Sequence, residues 1–178
     1  MNGVTENIVN SAQNLGAAAY FGGVAYGSVA LGRAVEVIDD EKERGELMKA
    51  AWRNYSPIAW AGLGALAATT IYWWTQPDRR LNDTELTIAK IRSGLVIGAI
   101  ASAATSACLG SAIAGQTSDE RTPVKSGHGA SEATPESARK ALKLYPWVTA
   151  TNLVCGAGII VCSALLSDHA KSKTKWLW

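Results

Sequence analysis

The chain is short of the side chains that do chemistry or hold metals. Its 178 residues include two histidines, two methionines and three cysteines. Haem, copper or iron held within a helical bundle needs His, Met or carboxylate ligands on facing helices. His128, His169, Met1 and Met48 all lie outside the apolar runs, where such a site would form. Cys108, Cys155 and Cys162 do fall inside those runs, and Cys155 and Cys162 share a helix face that could turn toward Cys108. With no His or acid nearby, thiols there read as small hydrophobes, and a disulfide framework is not indicated. No run has an ionisable group at its centre to relay protons or ions. No base lies at the depth of Ser102, Ser106 or Cys155 to activate a nucleophile, and no Gly-rich phosphate loop follows a strand. These absences weigh against most enzyme classes, and no catalytic residue, cofactor or metal is expected.

Charge is the second scarcity, and it is local. Residues 7–32, 54–77, 93–118 and 144–167 contain no Asp, Glu, Lys or Arg, so all 32 charges sit in the remaining 78 residues. A bilayer core takes roughly 20 apolar helical residues at about 1.5 Å rise each, and each run is long enough. A soluble helix of that length would carry Lys or Glu every turn or two on its wet face. The pattern predicts an all-α integral membrane protein, a four-helix transmembrane bundle with spans at about 13–35, 57–75, 91–115 and 146–167. A short extramembrane helix is expected before the fourth span. The first ten residues contain Glu6 and no Lys or Arg, so the first run reads as a retained span rather than a signal peptide. The lipid bilayer is the partner implied. A net charge of +2, spread over every loop, points to no nucleic acid.

Small residues dominate two spans. In the first, Ala19, Gly23 and Gly27 recur at every fourth position; in the third, Gly94, Gly98, Ser102, Ser106, Gly110 and Ala114 do the same. Such ridges let transmembrane backbones approach closely, since apolar bulk gives helices in lipid little reason to associate. The third-span ridge is therefore expected to pack on the first helix, with the Ser102, Thr105 and Ser106 hydroxyls bonded to carbonyls of their own helix. A conduction path along it is the sharper alternative. In the fourth span Asn152 is the most polar side chain near membrane depth, and its amide needs a polar contact, most simply on a neighbouring helix.

Between the spans, the mixed-charge stretch 36–53 reads as a solvated helical extension. Ser56-Pro57 reads as the cap and first turn of the second span. Asn82 with Glu85 reads as a capping box, placing Lys90 and Arg92 at headgroup depth early in the third helix. Residues 116–134 have no apolar period and are expected to form a flexible loop. Thr134-Pro135 should then start a short surface helix, which Pro146 bends into the fourth span. Trp52, Trp73, Trp74, Trp147, Trp176 and Trp178 read as interfacial anchors. Ten Lys and Arg lie in loops one and three against seven on the opposite side, which places both termini outside.

The order of features resembles small four-helix bacterial membrane proteins of the copper-resistance-D and copper-resistance-D-like families. The residues concerned are Gly22-Gly23, the charged stretch Asp39 to Arg53, Trp73-Trp74, Lys90, and Asn152 with Gly156. Ser56-Pro57-Ile58-Ala59 is similar to a motif opening the second span of the anthrone-oxygenase-like family, also four-helix. These resemblances imply a multi-pass protein of a bacterial inner membrane, and no catalytic residue is carried over from either. Two functions are expected from residues and resemblance together. One is a non-catalytic structural or accessory subunit of a larger membrane assembly, with other membrane protein subunits as partners. The alternative is an enzyme or carrier for an apolar small molecule held between the helices; a pocket with convergent polar groups, Asn152 among them, would favour it.

Overall fold

The structure, a computed structural model, describes residues 3–76, 81–114, 122–127 and 129–175, with side chains described as far as residue 167. The described residues are largely helical and contain no strand, only an isolated bridge between Val124 and Ala130. The described residues form four long helices: α1 (Gly3–Tyr26), α2 (Glu41–Trp74), α3 (Asp83–Ala114) and α4 (Glu136–Lys175). Helix α1 runs on through a π turn at Gly27–Leu31, three α-helical residues Gly32–Ala34 and a 3-10 turn at Val35–Val37. Among the described residues, three stretches, Val4–Val37, Asp83–Ala114 and Glu136–Ser167, are long and apolar enough to cross a membrane.

Local signals explain the helix starts. Asp40 caps α2 by accepting from the Lys42 backbone N–H at 2.7 Å. The capping box at α3 is formed in both directions, Glu85 N–H to Asn82 Oδ1 at 2.8 Å and Asn82 N–H to Glu85 Oε2 at 3.0 Å. The two internal prolines behave differently from expectation. Pro57 does not begin a helix and Pro146 does not separate two; each lies inside one continuous helix. Packing on both sides of each proline outweighs the lost backbone bond. Trp52 and Tyr55 hold α2 upstream of Pro57 against α1. Buried Ala138, Ala141 and Leu142 hold α4 upstream of Pro146. Among the described residues, no separate short helix therefore precedes α4, which begins at Glu136.

The core is shared by all four helices: Tyr20 and Val24 from α1, Leu63 and Leu66 from α2, Ala99 from α3 and Ile159 from α4. The helix pairing departs from the expected one. Helix α3 runs along α4, and α1 lies against α2 and α4. The ridge of α3 receives α4 side chains instead of α1, and a Cβ at Gly98 would stand 3.1 Å from Cys155 Sγ. Gly94 and Gly110 face open space, with nothing within 4 Å of such a Cβ. On α1, Gly23 and Gly27 receive the Tyr55 and Trp52 rings of α2. A smooth face accepts whichever neighbour supplies bulk to fill it, so small-residue spacing alone does not name the partner.

The described part of the segment expected to be a flexible loop is fastened to the helices. Val124 N–H donates to Glu41 O at 3.1 Å and Gly127 N–H to Gly32 O at 3.1 Å. Thr134 Oγ1 donates to Pro123 O at 2.7 Å, and Thr122, Pro123 and Val124 are buried. Residues 115–121, together with the tail tryptophans Trp176 and Trp178, lie outside the described residues.

Candidate functional site

Spacing places one face of each helix on a common interior space. Met48, Trp52 and Tyr55 of α2 recur three and four apart, as do Leu142, Tyr145, Thr149 and Asn152 of α4, and Ser106 and Gly110 of α3 follow the same rule. Together with Tyr20 and Val24 of α1 they enclose a cavity of about 440 Å³. That volume lies within the range of small-molecule sites. One end is covered by the 122–127 segment through Thr122, Val124 and Gly127. Gly45 makes this possible, because the Thr122 carbonyl oxygen stands only 2.0 Å from where a Cβ would be.

Asn152 organises the polar floor of the cavity. It is 5% exposed. The Tyr20 hydroxyl from α1 and the Ser102 hydroxyl from α3 both donate to its Oδ1, and its Nδ2 donates to Ser106 Oγ at 3.1 Å. Ala99 O lies within reach of the same two hydroxyls, at 3.3 Å from Tyr20 and 3.1 Å from Ser102. The amide thus joins three helices, and its bonds are interhelical. Tyr55 completes the wall. Its hydroxyl donates to Ala19 O at 2.9 Å and Tyr20 O at 2.8 Å, and its ring occupies the space that a side chain at Gly23 would need.

A second polar cluster lies toward the other end of the bundle, around Arg92. The Arg92 side chain is turned into the bundle and is 3% exposed. Its Nη1 donates to Gln13 Oε1 at 3.3 Å, and its guanidinium lies 5.0 Å from the Trp73 ring centroid, close enough for a cation–π contact. Gln13 Nε2 in turn donates to Ser163 Oγ at 2.7 Å. The sequence signal that separates Arg92 from Lys90 is phase: two positions along a helix is more than half a turn, which leaves Lys90 exposed when Arg92 points inward.

The tryptophans divide in the same way. Trp73 is buried beneath Arg92 and Trp52 lines the cavity, whereas Trp74 and Trp147 are exposed. Trp74 donates its Nε1–H to Ser93 Oγ at 2.8 Å. Of the hydroxyls expected to bond within their own helix, Thr105 does so, to Ala101 O at 2.9 Å; Ser102 shares its proton between Ala99 O at 3.1 Å and Asn152 Oδ1, and Ser106 accepts from Asn152. Among the described residues, no three His, Cys, Asp or Glu side chains come together as a metal site. Comparison with known proteins gives no match to a protein family, to a curated protein or to a solved structure.

Proposed function

We propose that this chain is a four-span membrane protein that binds an apolar small molecule in the cavity above Asn152. The observation that carries the reading is the cavity itself: about 440 Å³, walled by aromatic and aliphatic side chains, with an Asn–Ser–Tyr cluster at its floor. An apolar site with a few convergent polar groups is the usual form of a small-molecule pocket. Expression with the chain reconstituted in lipid nanodiscs allows a direct test with N-phenyl-1-naphthylamine, a fluorescent apolar probe. Saturable binding of one probe per chain is expected. Gly110→Phe, which adds bulk where the structure leaves open space, should abolish it while the helical content is unchanged. Equal probe binding by both chains would overturn the reading.

Four spans are supported by the outer surface. Ile58 and Ile71 on α2 are as bare as Leu15, Ile97 and Val154 on the other helices. Exposed apolar side chains on all four helices are suited to lipid or protein cover. Loops one and three meet at one end of the bundle, through the Val124 to Glu41 and Gly127 to Gly32 bonds. In the proposed topology this basic end is cytoplasmic and both termini lie outside a bacterial inner membrane. Single cysteines at positions 45, 80, 125 and 172, placed in a chain freed of its native thiols, should label with an impermeant reagent in two groups, 80 with 172 and 45 with 125. Any other grouping removes the four-span topology. A role as accessory subunit rests on a different feature, the open space at Gly22, Gly64 and Gly94, where another membrane helix has room to approach. Stoichiometric co-purification of a partner would favour that reading.

A further inference from the structure

The polar groups of the cavity are biased toward donation. Tyr20 and Ser102 both donate to Asn152 Oδ1, which fixes the amide so that its N–H points at Ser106 Oγ. Ser106 therefore accepts from Asn152, and its own proton has no acceptor among the described residues. Several other helical hydroxyls bordering the bundle bond back to a carbonyl four residues earlier, as Ser111 does to Ala107 O at 2.9 Å, so Ser106 is unusual in this respect. Thr149 stands one turn before Asn152 on the same face of α4, is 8% exposed, lines the cavity and makes no hydrogen bond among the described residues. Trp52, whose indole N–H can only donate, lines the cavity as well, and that N–H has no acceptor among the described residues. The charged side chains among the lining residues are Lys49 and Arg53, and none is acidic.

From this arrangement we infer that the cavity selects an apolar molecule bearing an oxygen acceptor, of the carbonyl class, which receives its hydrogen bonds from Ser106, Thr149 and Trp52. The inference rests on the small-molecule reading of the same cavity and specifies what that molecule must carry. A hydrocarbon of the same shape would leave these donors unsatisfied in an apolar surrounding, which costs free energy. A ligand rich in donors would find the amide oxygen of Asn152 already shared by two hydroxyls, leaving it the hydroxyl oxygens of Ser106 and Thr149 as acceptors, whereas Trp52 can only donate.

Benzophenone and its carbonyl-free analogue diphenylmethane test the inference with the intact chain in lipid nanodiscs. Binding is read by titration, and on illumination the ketone also inserts into a neighbouring C–H bond, forming a C–C bond and a tertiary alcohol that mass spectrometry can locate. The ketone should bind about threefold to tenfold more tightly than the hydrocarbon, the range for a net hydrogen bond. Its adducts should fall on cavity residues such as Met48 and Leu142. Thr149→Val removes a hydroxyl that makes no internal bond, so the fold is unaffected, and it should bring the two affinities closer together; Ser106→Ala should do the same. Equal affinities in the unaltered chain, with adducts in the cavity, would overturn the carbonyl preference and leave the small-molecule reading standing. No saturable binding of either compound, with adducts elsewhere, would overturn both.

Discussion

The clusters around Arg92 and Asn152 both join α1, α3 and α4, and their central residues on α3, Arg92 and Ser102, lie under three turns apart. Yet one is closely packed and the other borders a wide cavity. Around Arg92, the side chains of Gln13, Ser163 and Trp73 leave a gap of about 40 Å³, against about 440 Å³ beside Asn152. The difference follows the charge. A guanidinium removed from water is stable only with close dipoles and an aromatic face, so the chain packs tightly around it. A neutral amide already balanced by two hydroxyl donors and one acceptor can stand at the edge of open space. The structure is filled around the buried Arg92 guanidinium and left open beside the neutral Asn152 amide, although Lys49 and Arg53 also line that open space.

That contrast can be broken at three points. The largest effect is expected from Gly16→Leu in the filled half, because a Cβ there would stand 2.8 Å from the Gly62 carbonyl oxygen. Forcing α1 and α2 apart should cost about 3 kcal/mol or prevent folding, as overpacking of a close contact does. Thermal unfolding in detergent measures it, and Gly94→Leu, which faces open space, serves as the tolerated control. A stable, native-like Gly16→Leu chain would show that the seam is loose.

Next in size is Gln13→Leu, which removes one acceptor of Arg92, at 3.3 Å. A hydrogen bond to a charged group is worth about 1.5–3 kcal/mol, and the loss should appear as a lower unfolding midpoint in the same assay. Asn152→Leu should cost less, about 0.6–1.7 kcal/mol, the range for interhelical polar bonds in membranes. Its effect is cushioned because Tyr20 and Ser102 retain the Ala99 carbonyl as an acceptor. If Asn152→Leu proves more damaging than Gln13→Leu, the neutral cluster is the structural keystone and the cavity a by-product of it.

Several elements were legible in the residues. Charge-free runs located the apolar helices, Asn82 and Glu85 announced the start of α3, and Asn152 was marked as a group needing an interhelical partner. These are local or one-dimensional properties: a capping box closes within four residues, and the absence of charge can be counted along the chain. The donors at Ser106 and Thr149 were harder to recognise. Serine and threonine in an apolar helix ordinarily satisfy themselves on their own backbone, so nothing in the spacing separates Ser106 from Ser111.

The sequence by itself determined that the chain forms long helices over charge-free apolar runs, and which faces are small enough for close approach. Tertiary structure alone decided that α3 lies along α4, that α2 and α4 continue through Pro57 and Pro146, that Arg92 turns inward, and that the space above Asn152 stays open. The physical reason is that a smooth helix face, a proline and a partly apolar cation each permit more than one arrangement at similar local cost. The choice is made by the side chains they meet: Cys155 at Gly98, Tyr55 at Gly23, and Gln13 with Trp73 at Arg92.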